Sequence, residues 1–175
     1  MLGDIYAHLD DTPRASQIFR AAINRNPDND QHSLSLALVQ LRENNAGGAG
    51  ETLRKGLARI PGSGKMFWGL GLVSVLEGKP EAEAHLEHAV DLLPEWPGSY
   101  STLGVFYYQT GEIAKAREVL NRFKGSTAAG GFDLARIEEA LSRAPEVPSN
   151  IREPMPMAAR LQLLQLALSL ADRTL

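Results

Sequence analysis

The sequence predicts an all-α fold assembled from repeated helix-turn-helix units, and three observations carry that expectation. Apolar residues make up 43% of the 175 residues and aromatics only 6%, so Leu and Ala carry most of the load, which favours packed helices over β-branched strands. Three prolines, Pro27, Pro61 and Pro94, close segments of similar helical pattern at separations of 34 and 33 residues. Ahead of each proline the chain places a small, a bulky and a small residue in step: Ala15, Phe19, Ala22; Ala49, Leu53, Gly56; Ala82, Leu86, Ala89.

Upstream of those sets stand Leu2-Gly3 with Tyr6, Leu36-Ala37, Leu70-Gly71, and Leu103-Gly104 with Tyr107, and the fourth unit continues to Ala116 and Leu120. The physical sense is that two antiparallel helices approach closely only where one offers a small side chain and the other a bulky one. Gly3, Gly71 and Gly104 are therefore expected under large neighbours. Proline cannot continue a helix, so Pro27, Pro61 and Pro94 end each second helix. Asn44-Asn45, Gly78 and Gly111 suit the tight turn inside a unit. Helices are expected near 1–9 and 13–25, 31–43 and 49–59, 65–77 and 80–92, and 98–110 and 113–123.

The period and the residues at fixed offsets resemble the tetratricopeptide-repeat pattern, L-G-x-x-Y followed by A-x-x-x-F-x-x-A-x-x-x-x-P, closely in the first and fourth units and more loosely in the middle two. The resemblance covers about residues 2–123. It implies a right-handed superhelical solenoid of about four tetratricopeptide repeats over 1–124, with a capping helix and a tail helix behind it. Residues 125–144 read as a small-residue connector and capping helix, with Leu134, Ile137 and Leu141 on one face. Residues 145–175 read as a proline-rich linker and a Leu-rich helix from about 157 to 173. Met1 falls inside the first helix of the first unit, and the exposed stacking face expected there suggests a longer natural chain.

Several function classes lose support at this stage. A formal net charge of −3 provides no basic field for a nucleic-acid backbone. The absence of cysteine rules out a disulfide framework, a thiolate nucleophile and a Cys-ligated zinc. The run from Leu161 to Leu170 is too short and too polar to span a bilayer, so membrane insertion is not expected. No charged leader and apolar stretch open these residues, which leaves the compartment unspecified and a soluble, cytoplasmic setting as the default. His85 and His88 stand one helical turn apart with Glu81 nearby, yet Leu86 and Ala89 mark the buried stripe and place both histidines on the outer, solvated face. The Pro61-Gly-Ser-Gly-Lys65 run lacks the first glycine and the final Ser or Thr of a phosphate-binding loop and reads as a turn between units. With no catalytic set and no cofactor fingerprint, the chain is expected to be no enzyme and to carry no cofactor or metal.

In tetratricopeptide arrays the first helix of each unit lines a concave groove. The resemblance assigns that lining to Leu34, Leu38, Leu41 and Arg42, to Lys65, Trp68, Leu72 and Val75, and to Val105 and Tyr108, with Ser101 and Gln109 beside them. Some family members grip a C-terminal carboxylate with Lys, Arg and Asn in this groove. Here Leu34, Leu38, Trp68 and Leu72 occupy those places, so that activity is not carried over. An apolar lining calls for an apolar guest: a helical or extended peptide of a partner protein, the chain's own C-terminal helix, or a second copy of the chain. The expected function is a protein-interaction scaffold. The alternative is an accessory or oligomerisation segment of a longer enzyme or of a secretion or assembly component.

Overall fold

The computed structural model describes residues 2–125, 156–162 and 164–165, and every regular element among them is helical. The expected connector, capping helix and proline-rich linker, and most of the tail helix, lie outside these residues. Eight helices follow in order: α1 Leu2–His8, α2 Thr12–Arg25, α3 Asp30–Arg42, α4 Ala46–Leu57, α5 Gly64–Glu77, α6 Ala82–Leu92, α7 Pro97–Gln109 and α8 Ile113–Lys124. Residues 157–162 and 164–165 are also helical. The chain divides into two compact units, one carrying α1 to α6 and the other beginning at Leu93. Sequence neighbours pair as hairpins: α1 with α2, α3 with α4 and α5 with α6 in the first unit, and α7 with α8 in the second.

Each hairpin turns through the same device. Asp10, Asn44, Gly78 and Gly111 all adopt left-handed backbone, with φ of 55°, 58°, 67° and 78°. The amide of the next residue then reaches back five positions to close the end of the first helix: Asp11 to the Tyr6 carbonyl at 2.9 Å, and Asn45 to Gln40, Lys79 to Ser74 and Glu112 to Tyr107, each at 2.8 Å. This is the Schellman closure, which satisfies carbonyls that a helix end would otherwise strand. Asn44, Gly78 and Gly111 were legible as turn formers, whereas Asp10 takes the same conformation without the residue type that usually marks it.

Between hairpins the prolines act as expected. Asn29 and Ser63 donate their backbone amides to the carbonyls of Asn26 and Ile60 at 3.4 and 3.2 Å, across turns that hold Pro27 and Pro61 at the second position. The same residues cap the following helix. Asn29 Oδ1 accepts from the Gln31 amide at 3.0 Å, and Ser63 Oγ accepts from the Met66 amide at 3.3 Å. α4 begins at Ala46, three residues before the expected start, because Asn45 Oδ1 accepts the Gly48 amide at 2.9 Å and so caps a helix that opens with glycines.

The close approach within hairpins rests on the small-against-bulky pairs. A methyl group added at Gly3 would lie 2.8 Å from the Phe19 ring, and one at Gly71 would run into the Leu86 side chain. Phe19 and Leu86 are buried, so neither has room to withdraw. Gly104 is a correction: its nearest neighbour would be Val119 at 3.8 Å, an ordinary contact, so no large side chain sits on it. Across hairpins, Leu53 and Leu34 both crowd Gly69, and Met66 fills the space beside Gly56.

These contacts separate three substitutions. Gly71→Ala should destabilise by about 1–3 kcal/mol through overpacking. Gly78→Ala should cost about 1 kcal/mol because an L side chain is strained at its φ of 67°. Gly104→Ala should be neutral or stabilising by up to about 1 kcal/mol, since helix propensity is gained without a clash. Denaturant melts of the three variants check the order.

Candidate functional site

The groove expectation concentrates on α3 and α5, the first helices of the second and third hairpins. Ten of the 13 residues of α3 and ten of the 14 of α5 are buried, so both helices are covered around almost their whole circumference. Within the first unit α3 lies against α2, α4 and α5, and α5 lies against α3, α4 and α6. α5, which is apolar nearly all round, belongs in such a setting, whereas α3 also buries His32, Ser33, Ser35 and Gln40.

The residues assigned to the lining divide accordingly. Leu34, Leu38, Leu41, Trp68, Leu72 and Val75 are buried. Leu34 shows the cause, since its side chain packs on the backbone of α5 at Gly69. Arg42 and Lys65 are half-buried. On α7, Val105 is half-buried and Tyr108 is 45% exposed.

Polar groups tie the two helices together at one-repeat offsets, a feature that the residue pattern did not reveal. Ser63 Oγ donates to Asp30 Oδ2 at 2.8 Å and Lys65 Nζ donates to Gln31 Oε1 at 2.8 Å, while within α3 Gln31 Nε2 donates to Ser35 Oγ at 3.3 Å. The partners of the first two bonds are separated by 33 and 34 residues, so these bonds join equivalent turns of consecutive hairpins. Comparing polar residues at matching repeat positions would have found them. Lys65 is therefore held by a neighbour within the array. Nearby His32 is buried with its Nδ1 atom lacking a hydrogen-bond partner.

His85 also departs from its expected place. Its Nδ1 is hydrogen-bonded to Ser74 Oγ at 3.1 Å, and its ring lies 6.4 Å from that of Phe67. His88 is exposed and meets the same Phe67 ring edge-on at 4.3 Å. The pair thus clasps α5 from α6, and only His88 has the solvated position expected of both. Burial pushes the His85 pKa below the ordinary histidine value, opposed by the carboxylate of Glu81 and reinforced by Arg54 and His88. Among the described residues no group of three or more His, Cys, Asp or Glu side chains could hold a metal ion, and no helix is long and apolar enough to cross a membrane.

The recurrent left-handed turns, the small-against-bulky contacts and the bonds at one-repeat offsets define a helical-repeat array. A family model described as tetratricopeptide repeat matches residues 1–64. Among solved structures the chain is similar to two crystal structures of MamA. One is 19% identical with a TM-score of 0.57, covering 99% of this chain and 96% of that one; the other is 18% identical with a TM-score of 0.59, covering 98% and 89%. It is also similar to TTC0263, a thermophilic tetratricopeptide protein of Thermus thermophilus, at 19% identity and a TM-score of 0.60, covering 95% and 96%. No curated protein matches the chain. Residues 1–64 therefore carry the tetratricopeptide-repeat signature, and the chain shares the fold of these solved structures.

The displaced pKa of His85 has a definite sign. Folded protein binds the His85 proton less readily than the unfolded chain, whose histidine titrates near 6.5. The contribution of neutral His85 to stability is therefore complete above that pH and is lost as pH falls below it toward the folded pKa. His85→Gln should flatten this dependence, so that the stability gap between wild type and variant narrows from about pH 7 to about pH 5. Urea melts across that range check it.

Proposed function

We propose that the chain is a protein-interaction scaffold that seats an apolar helical or extended peptide along the first helices of its hairpins. Tetratricopeptide folds are typically non-catalytic scaffolds, and the family match and the solved relatives support that general role. The observation that carries the peptide reading is the chemistry of α3 and α5. Every assigned position between the two rims is apolar, with Leu34, Leu38 and Leu41 on one helix and Trp68, Leu72 and Val75 on the other. Arg42 and Lys65, both half-buried, supply the polar rim, and Val105 and Tyr108 hold the equivalent positions on α7.

A guest with three or four large apolar side chains suits this seat, each buried side chain contributing about 1.5–3 kcal/mol before ordering costs. Because the six apolar positions are already buried, binding requires exchange of cover and not simple addition. The chain's own Leu-rich C-terminal segment is the natural competitor, since its sequence places Met157, Leu161, Leu164 and Leu168 along one helical face. Such a competitor would set the threshold affinity for any external partner.

A labelled synthetic peptide of residues 156–173 tests the seat. It should bind a chain lacking residues 145–175 and bind the full chain at least about tenfold more weakly. Replacing Trp68 or Leu72 would test folding instead, because both are fully enclosed. Failure of the shortened chain to bind the peptide would remove the reading.

A further inference from the structure

The second helices of the first unit divide by charge, which a net charge of −3 for the whole chain conceals. α2 carries Arg14, Arg20 and Arg25 and no carboxylate. α4 sets Arg54 and Lys55 against Glu51 alone, and Arg59 follows it. α6, in contrast, carries Glu83, Glu87 and Asp91 and neither Lys nor Arg. Some of the basic charge is neutralised locally, since Arg14 pairs with Asp11 at 3.3 Å and Lys55 with Glu51 at 2.6 Å. Arg20 and Arg59 are exposed, and among the described residues neither enters an ion pair.

Internal repetition directs these two arginines to one seam. Arg54, one period after Arg20, leans over Gly50: a methyl group there would lie 3.1 Å from Arg54 Nη1 and 3.3 Å from Val73 on α5. Its charge is also felt at His85 on α6, where it reinforces the lowering of that pKa by burial. This shoulder of α4 therefore faces the following hairpin. The same register turns Arg20 from α2 toward α4, over Ser16, which stands at the place of Gly50. Ser16 Oγ is buried and has no hydrogen-bond partner. Arg59, one residue past the α4 cap at Ala58, stands about 140° round from Arg54, on the shoulder turned back toward α2. One period on, Leu92 takes the place of Arg59, so the pair of arginines is particular to the first seam.

We propose that the seam between α2 and α4 binds a short acidic segment of a partner protein, whose carboxylates are taken by Arg20 and Arg59, with the Ser16 hydroxyl as a further donor. Guanidinium forks match carboxylates in a bidentate manner that a lysine cannot reproduce. The acidic α6 decides between polyanions. A nucleic-acid duplex or an anionic bilayer extends over several repeats and would set its phosphates against Glu83, Glu87 and Asp91, whereas a few residues of peptide stay within the seam. Exposed ion pairs are individually weak, so the contact is reversible and sensitive to salt. This surface is separate from the peptide seat on α3 and α5 and does not depend on it.

Acetylated hexaglutamate amide is the probe, titrated at low ionic strength into the full, isotopically labelled chain and followed by NMR. The side-chain Nε–H signals of Arg20 and Arg59 should shift together, and added salt should reverse the shifts. Arg20→Gln combined with Arg59→Gln should weaken binding at least about fivefold. Arg25→Gln combined with Lys79→Gln removes the same charge from elsewhere in the unit and should change binding by less than about twofold. Equal weakening by the two double variants overturns the proposal, because net charge alone would then drive binding. Shifts centred on α8, or no shifts at all, overturn it too. Tighter binding of a DNA duplex or of phosphatidylserine vesicles, lost in the Arg20 and Arg59 double variant, also overturns it by assigning the seam to another class of partner.

Discussion

The first and third hairpins depend on one helix lacking bulk where its partner supplies it. At Gly3 and Gly71 the missing side chain lets Phe19 and Leu86 lie directly on backbone, which brings the helix axes closer than two leucine surfaces would allow. That closeness fixes where the chain can reverse. The first helix must then end within a residue or two of a set point, and the left-handed residue with its five-back amide bond supplies the stop. Packing distance and turn geometry are thus two expressions of a single spacing constraint, repeated at 34 and 33 residues.

The middle of the array shows how far packing can override local preference. α4 opens with Ala-Gly-Gly-Ala-Gly and carries four glycines, each costing about 1 kcal/mol against alanine in a helix interior. Two of them are offset by close approach, Gly50 to Val73 and Gly56 to Met66, whereas Gly47 faces open space. The Asn45 cap and fully buried Leu53 hold the helix at its start and middle. Its stability is thus a property of α3 and α5 on either side, as expected where each unit contacts only its neighbours.

How much of this was legible in the sequence follows from what kind of information each feature needs. Prolines, turn glycines and small-against-bulky positions are set by backbone geometry, which individual residue types reveal, so the hairpins and most of their boundaries could be read. Asp10 escaped because aspartate adopts left-handed backbone only when its surroundings require it. Gly104 misled for a related reason: the motif predicts a glycine there, but the facing helix offers Val119 at a distance that asks nothing of it. The groove was the least legible feature. Residue order gives the direction in which Leu34 or Trp68 points, but burial depends on every group around it, and no period encodes that sum.

The polar bonds between α3 and α5 suggest why a largely apolar interface keeps any polarity at all. Apolar contacts between hairpins are non-directional, and leucine surfaces alone would tolerate sliding by a turn. The Asp30–Ser63 and Gln31–Lys65 bonds are directional and sit at the N-terminal ends of both helices, where a shift of one turn would break them together. Ser63 and Asp30 are partly shielded, so losing the partner would strand a polar atom against protein rather than water. The small net strength of each bond matters less than this asymmetry, which penalises every register but one. An array built this way can bury α3 and α5 almost completely and still specify how successive hairpins align.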